Sequence, residues 1–471
     1  MQTFSSRISS FVFSLLLNAF ADVGLHGTAT STTMNDRHDC SGRTHDGDTV
    51  NRWTSQAEGR NDPEELDHMK TVTESFRQYA TFARTERFGH AQRVSACPEE
   101  QKHYLPPSLQ PGTEEYQQKE EEFRDAEVRN QFFLDCVLRH AELSTSQETL
   151  QKDTGKERSW ASDHHMDKVK SIFKSLVRDW SEEGALERAA AYDPIINGFM
   201  KHLPCQSDDG SSSPPPPPPP RVVVPGAGLG RLALELCSKG YAVQGNEFSL
   251  QMLLPSDFIL NGGCSPDQSF SIYPYLTETT NVRSYKDLVK PVLVPDIDPV
   301  RMLIGDGSDN KGEDQVSSRM PDFSMAAGDF ISIYNCEQER GKWDGVASCF
   351  FLDTASIVVE YLQTIHSMLK DGGLLINFGP LLWHFSTTPM RPGETQESYS
   401  HRLSSLDPRY LESIDLTYED VKHVLDRVGF DIIEESNHIA YYTANPHSLK
   451  KNEYTCVYFV AKKRQGSNQQ R

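Results

Sequence analysis

The stretch Val222-Val-Val-Pro-Gly-Ala-Gly-Leu-Gly-Arg231 decides the fold. Three β-branched residues run into a glycine-rich turn, and Leu232 to Lys239 then reads as a helix. Strand, glycine turn and helix in that order open a nucleotide-binding, doubly wound architecture. The spacing narrows the ligand further. A dinucleotide fingerprint needs its third glycine three positions after the second, and that position is Arg231. The glycines fall instead at Gly226, Gly228 and Gly230, the spacing of S-adenosylmethionine sites, which disfavours a nicotinamide-linked oxidoreductase. Alone, such a turn could equally be an ordinary tight turn.

The downstream segments supply company for it. Tyr241-Ala-Val-Gln-Gly-Asn-Glu247 reads as a second strand ending in a carboxylate that can accept both ribose hydroxyls; the competing reading is a helix N-terminal charge ahead of Ser249. Ala327-Gly-Asp-Phe330 places Asp329 beside Phe330 after another short strand, a pair suited to an adenine, with Asp329 accepting from the exocyclic amine and Phe330 or its neighbours packing the ring. Trp343 to Leu352 reads as a buried fourth strand, Thr354 to Leu369 as a helix, and Lys370 to Ile376 as a helix stop and fifth strand. A helix from Leu416 to Val428, a strand from Gly429 to Glu434 and a last strand from Tyr454 to Ala461 complete the series. The fold class is α/β: the Rossmann-like, doubly wound, mostly parallel seven-stranded sheet of class I S-adenosylmethionine-dependent methyltransferases, preceded by an all-helical region.

Working outward, the chain divides into a disordered or processed leader (1–62), a helical region (63–205), a Ser/Pro-rich linker (206–220), the methyltransferase domain (221–463) and a polar tail (464–471). In the helical region Leu66, Met69, Val72, Phe76, Tyr79 and Phe82 recur at three- and four-residue steps, which predicts one long helix to about Arg93. Further helices are predicted over 113–143 and 166–180. The seven prolines Pro214 to Pro220 could serve as an SH3 or WW ligand, but an inserted loop between helix and strand is the simpler reading. Within the leader, Arg7 and the apolar run Phe11 to Phe20 have signal-peptide grammar, so a cleaved targeting signal over 1–21 stands as the alternative to a cytoplasmic, and further a nuclear, location. That run is too short for a permanent membrane helix, and no membrane association is expected.

The 471 residues carry 47 Lys+Arg against 67 Asp+Glu, a net charge of −20, which argues against a nucleic-acid partner because neutralising phosphates takes clustered cations. The nine cysteines are odd in number and widely spaced without a C-x-x-C pair, so reduced thiols are expected, with no metal site.

The wording of the motifs adds a resemblance. Val224-Pro-Gly-Ala-Gly-Leu-Gly-Arg-Leu-Ala233, Gly245-Asn-Glu-Phe-Ser249, Pro295-Asp-Ile-Asp-Pro299, Cys349-Phe-Phe-Leu-Asp-Thr-Ala355 and Asn377-Phe-Gly-Pro-Leu-Leu-Trp-His384 resemble the carnosine N-methyltransferase family, with similarity from about residue 63 to 463. The resemblance implies methyl transfer from S-adenosylmethionine to the imidazole π nitrogen of β-alanyl-histidine, giving anserine, with related histidine peptides as further substrates and a homodimer as the assembly. It implies cofactor contacts from Arg178, Gly226, Glu247, Asp329, Phe330 and Cys349, and from Ser175, which stands where the family has a glutamine. Asp353, His384 and Tyr454 match positions that contact the peptide.

The chemistry fits these roles. Methyl transfer is an in-line displacement by a lone pair, so a neutral imidazole must present a bare π nitrogen while the other nitrogen carries the proton. A carboxylate accepting from that N–H selects the tautomer and stabilises the imidazolium formed; Asp353 is the candidate, against the reading that it N-caps the next helix. His384 is the candidate substrate contact or proton relay. An Arg such as Arg178 suits the cofactor carboxylate. Two other functions share these features: methylation of histidines within proteins, and a non-catalytic cofactor-binding interaction protein that uses the polyproline tract. The second has no need of a tautomer selector.

Overall fold

A computed structural model describes residues 11–14, 63–141, 161–205, 217–304, 322–386, 389–404 and 406–465. The leader apart from Phe11–Ser14, most of the linker and the tail beyond residue 465 lie outside the described residues, and with them the reading of a targeting signal.

The helical region comes first in the chain. Where one long helix was expected there are two, α1 (Pro63–Arg77) and α2 (Tyr79–Ser95), separated at Gln78. The expected periodicity survives the break because Met69, Val72, Phe76, Tyr79 and Ala83 all remain buried. Helix α3 (Glu114–His140) starts at Thr113, whose side chain accepts from the Tyr116 N–H, and α4 (Asp163–Trp180) starts at Ser162, which accepts from the His165 N–H. A further helix, α5 (Ala185–His202), with Pro194 inside it, bridges to the sheet and was not among the expected helices.

The strands are β1 (Phe11–Ser14), β2 (Arg221–Pro225), β3 (Ala242–Glu247), β4 (Phe270–Ile272), β5 (Val292–Val294), β6 (Phe323–Ala327), β7 (Trp343–Cys349), β8 (Leu369–Gly379), β9 (Phe430–Tyr441) and β10 (Glu453–Lys463). The main sheet runs β1-β6-β3-β2-β7-β8-β10-β9, and β4 and β5 form a separate antiparallel pair. The strands β6, β3, β2, β7 and β8 are parallel neighbours, whereas β10 inserts antiparallel between β8 and β9. Order reverses between β2 and β7, so the crevice at their C-terminal ends is the switch point where ligands bind in such sheets. These seven strands are the anticipated sheet. The sheet nevertheless has eight: Phe11–Ser14, expected to stand outside the fold, pairs antiparallel with β6 and covers an edge that would otherwise leave backbone groups unpaired.

Helices α6 (Arg231–Ser238), α7 (Leu250–Leu260), α8 (Phe330–Tyr334), α9 (Val358–Met368) and α10 (Tyr418–Val428) flank the strands. Helix α9 begins at Val358 rather than at Thr354, because Leu352–Thr354 forms a separate 3₁₀ turn. The sheet has a hydrophobic layer on each side. One contains Val346, Leu362, Leu375, Leu425 and Phe459; the other joins Val222, Ile376 and Leu254 to Phe76, Phe133, Phe173 and Trp180 of the helical region in one contiguous cluster. The helical region is thus part of the catalytic domain's core.

Candidate active site

The site grows out of the turn after β2. Gly226, Gly228 and Gly230 have φ of +63°, +56° and +84°, the left-handed region in which a side chain is strained. A Cβ on Gly226 would come within 2.7 Å of the Phe351 ring, and one on Gly228 would sit 3.8 Å from Arg178 Nη2. The turn is therefore a cradle that glycine keeps open. Its Gly228 N–H donates to Glu247 Oε2 at 2.8 Å, while Oε1 accepts from the N–H groups of Phe248 and Ser249. Both readings of Glu247 meet here: it tops the helix start before α7 and also faces the glycine turn. Burial raises its pKa, against the pull of those three N–H donors.

Arg178 reaches this turn from the last turn of α4. Its Nε and Nη2 donate to the two oxygens of Asp179 at 2.6 and 3.0 Å, which leaves the Nη1 edge for a ligand carboxylate. Burial alone would lower its pKa; the Asp179 charge, with Tyr442 and Tyr192, more than offsets this and holds the guanidinium charged. Asp179 also accepts from the Tyr192 hydroxyl at 2.8 Å. Arg178, Glu187, Tyr192, Gly226, Cys349, Phe350 and Tyr442 line one cleft at the C-terminal ends of β2 and β7. Glu187, Tyr192 and Tyr442 were missed by the sequence reading. Burial raises the Glu187 pKa, and burial pushes the Cys349 thiol up to about 12.

Beyond Cys349 the backbone is wedged. Phe350 has φ +50° and donates its N–H to Phe378 O, and Asp353 follows within the 3₁₀ turn. Asp353 is 2% exposed; Oδ2 accepts from the Leu382 N–H at 2.9 Å, and its carbonyl accepts from the His384 N–H at 2.9 Å. Helix α9 starts five residues later, so the N-cap reading of Asp353 is set aside. Its pKa is raised, first by burial, with the Leu382 N–H and the charge of His384 pulling the other way. The His384 side chain is exposed at the lip of this loop. Tyr454 lies half-buried on β10 opposite Ala440. Two residues on, Cys456 is near enough to Asp353 for that charge, after burial, to help push its thiol up to about 11.

Two expected contacts, from Phe330 and Ser175, are placed differently, and a third, from Asp329, is shared with a helix cap. Phe330 is 3% exposed, its ring packed on Phe351 and Tyr361, so it presents no face to an adenine. Asp329 Oδ1 caps α8 through the Ser332 N–H and hydroxyl, leaving Oδ2 for another donor. Ser175 is buried one turn before Arg178 and does not line the cleft.

A second layer holds these elements together. Asp296 accepts from Arg188 Nη2 and from Arg231 Nη1, both at 2.7 Å, while Arg188 Nη1 also donates to the carbonyls of Arg178 and Ser181 and Arg231 Nη1 to that of Asp179. The two guanidinium groups thereby serve the free carbonyls at the C-terminal end of α4, next to Arg178. No cluster of His, Cys, Asp and Glu fit for a metal exists among the described residues, and none of their helices is long and apolar enough to cross a membrane.

A family model for carnosine N-methyltransferase matches residues 155–465. The mouse carnosine N-methyltransferase is 36% identical over 403 residues, 85% of this chain and 87% of its own length. The Schizosaccharomyces pombe enzyme of that name is 36% identical over 298 residues, 63% of this chain and 71% of its own. Among solved structures, a SAM-dependent methyltransferase from Methanosarcina mazei aligns with 53% of this chain and 95% of its own at 14% identity and a TM-score of 0.30. The strand order, the glycine cradle and the extent of these sequence matches meet in one conclusion: the chain belongs to the carnosine N-methyltransferase family, enzymes whose methyl donor is S-adenosylmethionine.

Proposed function

We propose that the enzyme methylates the π nitrogen of the carnosine imidazole, giving anserine, and that it accepts related histidine-containing peptides. The observation that carries this reading is Asp353, a buried carboxylate anchored by the Leu382 N–H at the strand edge between Cys349 and His384. An acceptor fixed there can take the τ N–H of an imidazole. That bond selects the tautomer with a bare π nitrogen and stabilises the positive charge that develops as the nitrogen is alkylated. After transfer the same carboxylate, its basicity raised by burial, can receive the τ proton.

The residues present fit the donor. The glycine cradle would admit the cofactor's ribose and amino-acid arm, Glu247 would accept the ribose hydroxyls, Arg178 would pair with the carboxylate through Nη1, and Asp329 Oδ2 would accept from the adenine amine. Phe330 would contribute its first-turn N–H in place of its ring. Bound there, the cofactor supplies an electrophilic methyl group on a sulfonium. Incubation with methyl-labelled S-adenosylmethionine and carnosine, homocarnosine, free histidine or histidine-bearing peptides, followed by fragmentation mass spectrometry, tests the reading. Label on the carnosine π nitrogen is expected. Absence of labelled imidazole from every substrate would sink it.

A further inference from the structure

Resting on the assignment of Arg178 to the cofactor carboxylate, we propose that Tyr442 is a positioning residue for Arg178 and that Glu187 is the latch that holds Tyr442 in place. The Arg178 guanidinium carbon lies 4.8 Å from the centroid of the Tyr442 ring. Asp179 fixes two nitrogens of the guanidinium edge-on, and the guanidinium's central carbon lies over the Tyr442 ring. The two restraints together leave the planar guanidinium little freedom, which is what directional recognition of a carboxylate by the remaining Nη1 demands. The ring also excludes water from the pair, which strengthens the electrostatic contact it covers.

Tyr442 could not hold that place by itself. It is 41% exposed and sits at the turn that leaves β9, before Thr443 at φ +49°. A β-branched residue in the left-handed region costs energy that neighbouring contacts must offset. Glu187, from the first turn of α5, provides them: Oε1 accepts from the Thr443 N–H and Oε2 from the Ala444 N–H. The other side of the turn is tied as well. Tyr275 donates its hydroxyl to the Ala444 carbonyl at 3.2 Å, and Asn445 donates to Glu278 Oε2 at 3.0 Å. Glu278 in turn pairs with Lys174, one turn before Arg178 on the same helix, at 2.9 Å. The turn after β9 is therefore lashed to the helix that carries the arginine it covers. Phe350, held at 4.8 Å from the Tyr442 ring, completes the wall.

The test compares two ligands by titration calorimetry, S-adenosylhomocysteine and its decarboxylated analogue, which lacks the group that Arg178 would bind. Replacing Tyr442 by Ala is expected to weaken S-adenosylhomocysteine about fivefold to tenfold, the loss of a partly desolvated cation–π contact, and to leave the analogue unchanged. Tyr442→Phe keeps the ring face and the affinity. Glu187→Ala gives the same ligand-selective loss as Tyr442→Ala, and thermal unfolding of each variant verifies that it is folded. Equal losses for both ligands, or none for either, would overturn the positioning role, because a ring that merely packs the cleft does not discriminate a carboxylate. The variant Arg178→Gln separates the two levels. If its losses for the two ligands are equal, the Arg178 assignment falls; if its loss is confined to S-adenosylhomocysteine and that of Tyr442→Ala is not, only the positioning role falls.

Discussion

Replacing Asp353 with Asn probes the reaction and the fold in opposite directions. The amide oxygen can keep the Leu382 N–H bond that now goes to Oδ2, so the loop after β8 stays in place and the amide nitrogen turns towards the substrate. A donor then stands where an acceptor is required, favouring the tautomer whose π nitrogen carries the proton. The negative charge that stabilises the imidazolium is lost as well. Breaking a buried charged pair of this kind is worth about 3–5 kcal/mol, and 1.36 kcal/mol is tenfold in rate, so kcat should fall roughly 10²- to 10⁴-fold. The corresponding replacement in a Ser-His-Asp triad costs about 10⁴ for the same tautomeric reason. Stability moves the other way. Because burial raises the Asp353 pKa, its stabilising contribution is full below the unfolded carboxyl pKa and is lost as pH rises through the folded one. Above the folded pKa the ionised carboxylate burdens the apo fold, and there Asn, which cannot ionise, should melt at the same temperature or higher. The assays are single-turnover methyl transfer to carnosine and thermal unfolding. Turnover within tenfold of the wild type would refute the tautomer argument.

Other perturbations read neighbouring parts of the site. Activity should decline on the acid side as the substrate imidazole protonates near its ordinary pKa of about 6.5, and protonation of Asp353, whose pKa burial raises, adds a further acid-side step that a pH–rate profile of Asp353→Asn should lose. Asp296→Ala leaves the buried guanidinium groups of Arg188 and Arg231 without their shared carboxylate, and should lower unfolding free energy by about 3–5 kcal/mol in denaturant titrations. Gly228→Ala forces a side chain to φ +56° beside Arg178, and a strain of about 1–2 kcal/mol predicts S-adenosylhomocysteine binding weakened about tenfold by calorimetry. With its thiol pushed up to about 12, Cys349 should resist iodoacetamide at pH 8 while the exposed Cys336 is labelled, as peptide mapping would show.

The parts of the molecule legible in the sequence are those whose residue types have few alternative uses. A β-branched run followed by three glycines at two-residue steps suits little besides the cradle after β2, and alternating apolar runs and helical periods reproduced the order of the five parallel strands. What escaped depends on direction. Phe330 beside Asp329 is consistent with an aromatic facing an adenine or facing the core, and only the packing of Phe351 and Tyr361 sends its ring inward. Gln78 is an unremarkable helix former, so the interruption between α1 and α2 leaves no mark in a pattern that counts only apolar spacing. Glu187 and Tyr442 are separated by 255 positions, and nothing short of the fold brings the first turn of α5 to the turn after β9.

Arg231 shows how one position can be read correctly for one purpose and incompletely for another. At the third-glycine position it argued against a dinucleotide fingerprint, which needs a small residue for close helix–strand packing. The structure shows what that side chain does. Arg231 is 5% exposed, its guanidinium crosses to Asp296 and the Asp179 carbonyl, and its face lies 5.2 Å from the Trp180 ring. Asp296 belongs to Pro295-Asp-Ile-Asp-Pro299, a motif whose wording carried the family resemblance without a reason. Its reason is mechanical: one carboxylate joins the glycine-turn helix to α5 and secures the end of α4, so that Arg178, Glu187 and the cradle are held by a single buried junction. If that is so, the damage from Asp296→Ala should extend beyond stability. At a temperature where the variant remains folded, the affinity for S-adenosylhomocysteine should drop while that for its decarboxylated analogue changes less, because the junction sets the arginine more directly than the ribose carboxylate. Equal losses for the two ligands would instead assign Asp296 to the fold alone.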